Sequence, residues 1–195
     1  EAVALAKKSE VVVLVLGEHG YQSGEGRSRA QLDLPGLQLE LLQAVYAVNQ
    51  NIVLVLMNGR PLAITWEAEN IPTILEAWQL GSQTGNAIAE VLFGDYNPGG
   101  KLPMTFPRAV GQVPIYYNHY RTGRPDSLDV VFWTHYSDES NQPLYPFGHG
   151  LSYTNFDYAN LKLSNTTISA NSTITVTADI TNTGKYQGKE VVQLY

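Results

Sequence analysis

Two continuous apolar runs constrain the fold of this chain most strongly. Residues 11–16 read VVVLVL and residues 52–57 read IVLVLM, and neither run contains a polar residue. A strand with one face in water alternates apolar and polar side chains, whereas a strand of a parallel sheet is covered on both faces. The two runs therefore predict buried neighbouring strands of a parallel sheet.

Helical patterns alternate with these strands. Apolar residues at helical spacing predict an amphipathic helix that begins near Pro35, with Asp33 as its possible cap. The other predicted elements are the end of a helix at 2–9, a third strand at 73–78, a helix at 84–93 and a short edge strand at 102–106. Strand and helix alternating at this spacing predict an α/β sandwich with a mainly parallel sheet.

The character of the sequence changes after about residue 107. A segment rich in Tyr, Pro and Gly follows, and from residue 156 onward apolar residues occupy alternate positions. This second pattern is typical of antiparallel strands, of which about three are visible, whereas a β-sandwich has about seven. We therefore predict an α/β sandwich domain at 1–107, a connector packed on it at 108–155, and a truncated β-sandwich at 156–195.

Charge and composition argue against several kinds of partner. The formal net charge is −6 and no basic run is present, which disfavours binding to nucleic acid or to an anionic membrane surface. The apolar runs are too short to cross a bilayer. The chain contains no Cys, so a disulfide or a thiolate nucleophile is excluded.

The loop after the first strand, at 17–29, carries the candidate chemistry. Loops at the carboxyl ends of parallel strands are where ligands bind in open α/β sheets. A general acid near neutral pH needs a carboxyl group in a buried or negatively charged setting, and a loop tip can be brought into a neighbouring cleft. From the pattern alone Glu25, between two glycines, is more often solvated than catalytic. By the same reasoning Glu18 and Arg29 are more often loop-anchoring groups than substrate ligands.

No cofactor or metal ion is predicted for this loop. The dinucleotide-binding pattern GxGxxG fails because Arg29 stands where the third glycine is required. A phosphate-binding GxxxxGK[ST] pattern is absent. His19 has no second His at metal-binding spacing, so we expect no metal site.

Four motifs resemble those of glycoside hydrolase family 3. The run SGEGRSR at 23–29, followed by LDLPGLQ at 32–38, is similar to that family's acid/base loop. The other three matching runs, in the family's order, are VLMNGRP at 55–61, GDYNPGGKLP at 94–103 and YPFGHGLSYT at 145–154. The third run departs from the usual pattern at Gly99, where Ser is commoner, and at Lys101, where Arg is common.

This resemblance implies a layout and an activity. Members carry an N-terminal barrel with an Asp nucleophile, then an α/β sandwich with the acid/base, and often a fibronectin type III-like domain. The implied activity is retaining hydrolysis of terminal β-linked sugars of a β-glucoside or oligosaccharide, in the periplasm or after secretion. Its implied acid/base is Glu25, with Glu18 and Arg29 orienting the loop or touching substrate, and Trp133 lining the sugar entrance.

The implied protein partner is the chain's own barrel domain, which is not present in this sequence. We therefore expect the chain alone to be inactive. Two alternatives remain open at this point: a non-catalytic carbohydrate-binding or domain-docking module, and a free-standing flavodoxin-like ligand-binding domain. Sugar specificity, linkage and oligomeric state do not follow from the sequence.

Overall fold

The structure is a computed structural model that describes residues 1–120, 123–124 and 130–195. The helices are α1 (Ala2–Ala6), α2 (Gln38–Tyr46), α3 (Thr65–Asn70) and α4 (Thr84–Leu92), with short 3₁₀ turns at Gly81–Gln83 and Val110–Gln112. The strands are β1 (Val12–Gly17), β2 (Ile52–Met57), β3 (Thr73–Glu76), β4 (Phe156–Leu163) and β5 (Val176–Asn182). These residues form two units, one of 1–85 with 102–148 and the other of 86–101 with 149–195.

A parallel three-stranded sheet organises the first unit. Its strand order is β1-β2-β3, and the register pairs Val15 with Val55 and Val55 with Leu75. The central strand β2 is the most buried, which agrees with its unbroken apolar sequence. The predicted fold class is confirmed: an α/β part with a parallel sheet, followed by an all-β part with antiparallel pairing.

The hydrophobic core lies between α2, the sheet and the segment around Phe106. Leu42 and Val45 of α2 pack with Leu54 of β2, and all three side chains are almost completely buried. The Phe106 ring, also buried, makes an edge contact with Trp78 at a centroid distance of 5.8 Å. Trp78 therefore packs against this core.

The opposite face of β1 is not covered in this chain. Val13 and Val15 are 50% and 54% exposed, although their sequence predicts burial on both faces. The prediction is correct for β2 and wrong for β1, because nothing in the described part of the chain lies over that face of β1. The side chains of β1 that point to the other face, such as Leu14, do pack against the core.

Two predicted strands of the first unit differ from those observed. The third strand ends at Glu76 rather than at 78, because Trp78 adopts a left-handed backbone conformation with φ of 50°. The predicted edge strand at 102–106 is wrong: only an isolated antiparallel bridge joins Phe106 to Tyr145. The prolines at 103 and 107 have no N–H to donate, which prevents a continuous ladder.

Helix α2 is shorter than predicted. It begins at Gln38, after Leu37, and no side chain caps its first turn. Asp33, the predicted cap, instead accepts a hydrogen bond from the side chain of Arg29 at 3.1 Å. The short helix α3 was not predicted, because so few residues show no helical periodicity.

The second unit contains the antiparallel pair β4-β5. Phe156 pairs with Asn182 and Leu163 with Val176, with an irregularity between Ala159 and Lys162. About three antiparallel strands are predicted after residue 156, and two of them form, β4 and β5. The domain boundaries predicted at 107 and 155 stay predictions. Within the described ranges, no helix combines the length and apolar character needed to span a membrane.

A matched pair of substitutions tests the two environments of the sheet. Val55 is fully buried, whereas its register partner Val15 has half of its surface in solvent. We expect Val55→Ala to lower the free energy of unfolding by about 2 kcal/mol, through lost burial and a residual cavity. Val15→Ala should cost less than half as much. Urea unfolding of both variants measures this, and equal losses would show that both faces of β1 are buried in solution.

Candidate active site

Polar residues from all three parallel strands meet at one edge of the sheet. Glu18 directly follows β1, Asn58 directly follows β2, and Glu76 ends β3. Because the strands are parallel and adjacent, their carboxyl ends lie side by side. This edge is where open α/β sheets bind ligands.

The loop leaves β1 in a fixed direction. The backbone N–H of Gly17 donates to Oε1 of Gln38 at 2.7 Å, and Nε2 of Gln38 donates to the Gly17 carbonyl at 2.9 Å. Gly17 has φ of 136°, and a Cβ there would overlap the backbone of Met57. Only glycine therefore fits this position without strain.

Glu18 is a buried carboxylate with two arginine partners. Its side chain is 0% exposed. Its Oε1 lies 3.1 Å from Nη1 of Arg29 and 2.9 Å from Nε of Arg60. Its Oε2 accepts the Gly59 backbone N–H at 3.2 Å. A buried charge is tolerated only when it is paired and hydrogen-bonded, and this arrangement meets both requirements.

Arg29 connects Glu18 to the far end of the loop. While Nη1 contacts Glu18, the same nitrogen donates to the Asp33 backbone carbonyl at 2.9 Å. Nη2 donates to the Asp33 carboxylate at 3.1 Å. The guanidinium group of Arg29 thus links Asp33, which follows the loop, to Glu18, at the start of the loop.

Arg60 contacts both limbs of the loop. Its Nη2 donates to the backbone carbonyl of Gln22 at 2.5 Å and to that of Arg27 at 2.9 Å. The loop tip, residues 23–26, runs between these two carbonyls. At the first residue of the tip, the Ser23 side chain lies so close to Gly59 that a Cβ at position 59 would overlap Ser23 Oγ.

Glu25 occupies the tip itself. The Arg27 N–H donates to the Gly24 carbonyl at 3.2 Å, which closes a four-residue turn with Glu25 and Gly26 at its centre. Gly26 has φ of 68°, the positive value that a type II turn requires at its third position. The Glu25 side chain is exposed, and within the described residues it makes no ion pair or side-chain hydrogen bond.

Glu76 is a second carboxyl group at this edge, and it is partly buried. Its Oε1 accepts the Trp78 backbone N–H at 3.1 Å, and its Oε2 lies 3.4 Å from Nδ2 of Asn58. Burial raises the pKa of Glu76 to about 7. The contact with Trp78 stabilises a left-handed residue, a conformation that costs on the order of 1–3 kcal/mol. Asn58 Oδ1 is buried without a hydrogen-bond partner in the described chain.

The structure separates the predicted site residues by environment. Glu18 and Arg29 are in contact, and both belong to the loop's internal ion pairs. Glu25 is on the same loop but faces solvent. Trp133 is half-buried, and its backbone N–H donates to the Val130 carbonyl at 3.0 Å.

Three residues of this edge were missed as site residues in the sequence. Arg60 and Asn58 belong to the NGRP run, which resembles the family motif but does not reveal what its side chains contact. Glu76 had a local signal, because it is a carboxyl group at the carboxyl end of a parallel strand. Across residues 1–120, 123–124 and 130–195, no cluster of His, Asp and Glu is suited to hold a metal ion.

Comparison with known proteins assigns the chain to a family. Residues 1–153 match the model of the glycosyl hydrolase family 3 C-terminal domain. The chain belongs to glycosyl hydrolase family 3. It is 49% identical to a periplasmic β-glucosidase of Salmonella typhimurium and 52% identical to a β-xylosidase of Formosa agariphila. In both comparisons all of this chain is covered, together with 26% of the relative.

Solved structures agree with this assignment. A β-glucosidase from Listeria innocua, crystallised with gluconolactone, has a TM-score of 0.77 and 42% identity over 84% of this chain and 23% of its own. A β-glucosidase from Erythrobacter marinus has a TM-score of 0.81 and 42% identity over 93% of this chain and 24% of its own. The chain thus spans about a quarter of the length of the relatives that it matches.

The raised pKa of Glu76 predicts a pH-dependent stability. The folded state holds the Glu76 proton up to about pH 7, whereas an unfolded Glu releases it near 4.5. The folded state therefore binds the extra proton between these values, and this stabilisation is lost as the pH rises through 7. We compare the free energy of unfolding of Glu76→Gln with that of the wild type. This difference should shift in favour of the variant by roughly 2–3 kcal/mol when the pH is raised from 4.5 to 8.

Urea unfolding at both pH values measures this difference. Glu40→Gln is the control, because it makes the same substitution at an exposed position of α2 and should show no comparable gain. A Glu76→Gln effect that is the same at pH 4.5 and 8 would contradict the prediction.

Proposed function

We propose that this chain supplies the general acid/base of a retaining β-glycosidase, with Glu25 as the proton-transferring carboxyl group. The observation that carries the proposal is the arrangement of carboxyl groups in the loop at 17–29. Its tip presents one exposed carboxyl group, while buried ion pairs of Glu18 hold the base of the same loop. A side chain that must reach a substrate on another domain needs this combination of an accessible group and a fixed support.

The reaction requires two carboxyl groups with different roles. In retaining hydrolysis they stand about 5–5.5 Å apart, one as nucleophile and one as acid and then base. We propose that the nucleophile is an Asp on a barrel domain of the full-length protein. Glu25 gives its proton to the glycosidic oxygen as the bond to the anomeric carbon breaks. It then takes a proton from the water that attacks the glycosyl–enzyme intermediate.

Glu18 and Arg29 are proposed to orient the loop rather than to bind sugar. The Glu18 carboxylate has no exposed surface and is surrounded by donors from the protein itself. Arg29 uses its guanidinium group on Glu18 and Asp33. These contacts favour positioning over substrate recognition for both residues. Trp133, which retains some exposed surface, stays our candidate for lining the sugar entrance.

The relatives define the proposed substrate class. They are named as β-glucosidases and a β-xylosidase, so we propose a terminal β-linked glucose or xylose. One of them is named as periplasmic, which supports a periplasmic or secreted location for this protein. We expect the chain without a barrel domain to show no ordinary turnover.

Replacement of Glu25 tests the proposed role. In the full-length protein, Glu25→Ala should lower kcat/KM by about 10²–10⁴-fold for a glycoside with a poor leaving group. A dinitrophenyl glycoside should lose much less, because its leaving group departs without a proton. Azide should accelerate the variant on this activated substrate, since a small anion attacks the intermediate without base assistance.

Glu40→Ala is the matched control, because it removes an exposed glutamate from α2 outside the loop. We expect it to leave the kinetics unchanged. If Glu25→Ala retains full activity on both substrates, the acid/base role is wrong, and a carbohydrate-binding or domain-docking module becomes the better description.

A further inference from the structure

We propose that Arg60 is a positioning residue that fixes the direction of the turn carrying Glu25, an inference that rests on the proposed function. Arg60 lies just after the central strand β2, outside the loop itself. Its guanidinium group nevertheless contacts the loop at three places: the Glu18 carboxylate, the Gln22 carbonyl and the Arg27 carbonyl.

The two carbonyl contacts bracket the catalytic candidate. Gln22 precedes the turn and Arg27 ends it, so one nitrogen of Arg60 joins both limbs. Nη2 carries two hydrogens, one for each carbonyl. Because the guanidinium group is planar and rigid, it fixes the separation of the two limbs as well as their height above the sheet.

Arg60 is itself held in place by contacts with Asn58 and Glu18. Its side chain is only 19% exposed. Its backbone carbonyl accepts a hydrogen bond from Nδ2 of Asn58 at 2.8 Å. Its Nε binds Glu18, whose carboxylate also accepts the neighbouring Gly59 N–H. The turn is thereby connected to β2, the most buried strand of the sheet.

Charge and shape make separate contributions here. The positive charge of Arg60 helps to neutralise the buried Glu18, and a lysine would keep that charge. A lysine ammonium group is a compact donor on a flexible stem, without the fork that spans separate acceptors. It therefore cannot hold Glu18 and both carbonyls together. We call the three simultaneous contacts of Arg60, to the Glu18 carboxylate and to the Gln22 and Arg27 carbonyls, the clamp. The Arg60→Lys variant removes the clamp and keeps the charge.

Loss of the clamp should appear in the proton-transfer step. Proton donation requires the acid within hydrogen-bond reach of the leaving oxygen, and a misplacement of about 1 Å can cost on the order of 10²-fold. Arg60 does not touch the substrate in this account. Its replacement should therefore lower kcat/KM, which reports formation of the glycosyl–enzyme intermediate, for glycosides whose leaving group needs a proton.

The experiment compares Arg60→Lys with the wild type in the full-length protein, using an alkyl glycoside and a dinitrophenyl glycoside of the same sugar. We expect kcat/KM on the alkyl glycoside to fall on the order of 10²-fold. The loss on the dinitrophenyl glycoside should be only a few-fold. In a Glu25→Ala background, Arg60→Lys should cause little further loss, because both substitutions remove the same step.

Arg108→Lys is the matched control. The Nε of Arg108 donates to the Gln142 backbone carbonyl at 3.2 Å, so this arginine also binds main chain, but away from the loop. We expect no dependence on the leaving group for this variant. If Arg60→Lys does not fold, the double variant Glu18→Gln with Arg60→Gln takes its place. Removing both charges avoids an unpaired buried carboxylate and still removes the clamp.

Three outcomes would overturn the proposal: wild-type kinetics of Arg60→Lys, equal losses on both glycosides, or a full additional loss in the Glu25→Ala background. Each would show that Arg60 acts through charge or folding alone. The proposed function fails by a different result, namely a Glu25→Ala variant without leaving-group dependence. The two failures are therefore distinguishable in the same set of measurements.

Discussion

Burial of the Glu18 carboxylate is the constraint on which the loop depends. An ionised carboxyl group without solvent needs counter-charges and hydrogen bonds, and Glu18 obtains them from Arg29, Arg60 and the Gly59 N–H. These donors come from two parts of the chain: Arg29 from the loop after β1, and Gly59 and Arg60 from the turn after β2. Satisfying one buried charge thus joins the loop after β1 to the turn after β2. Removing either arginine would leave the carboxylate only partly compensated.

The parallel sheet makes this convergence possible. Adjacent parallel strands bring the residues after β1, β2 and β3 to one edge, so side chains distant in sequence become neighbours. Polar groups with little exposed surface are concentrated there: Glu18 and Asn58 are buried, and Glu76 is partly buried, with a pKa raised to about 7 by desolvation. Above them the turn with Glu25 is exposed. This layer therefore supports an accessible carboxyl group, which is the combination that the role proposed for Glu25 requires.

The elements that were predicted well are those whose local pattern matches their environment. The run at 52–57 coincides with β2, because this strand is buried on both faces and needs no other information. The same reasoning overstated the burial of β1, whose exposed valines lie on a face that this chain leaves uncovered. The supposed edge strand at 102–106 failed because its prolines remove ladder donors, and only the bridge from Phe106 to Tyr145 remains.

The sequence by itself determined the parallel α/β architecture, through its unbroken apolar runs, and the family, through motifs that the comparisons confirm. It also identified Glu18, Glu25 and Arg29 as candidate site residues of a single loop. Only the tertiary structure decided which of the two glutamates is buried, because that depends on Arg60 arriving from the next strand. No local pattern specifies that contact. A buried charge is paired by the groups that the fold places in contact with it, and for Glu18 one of these groups is Arg60.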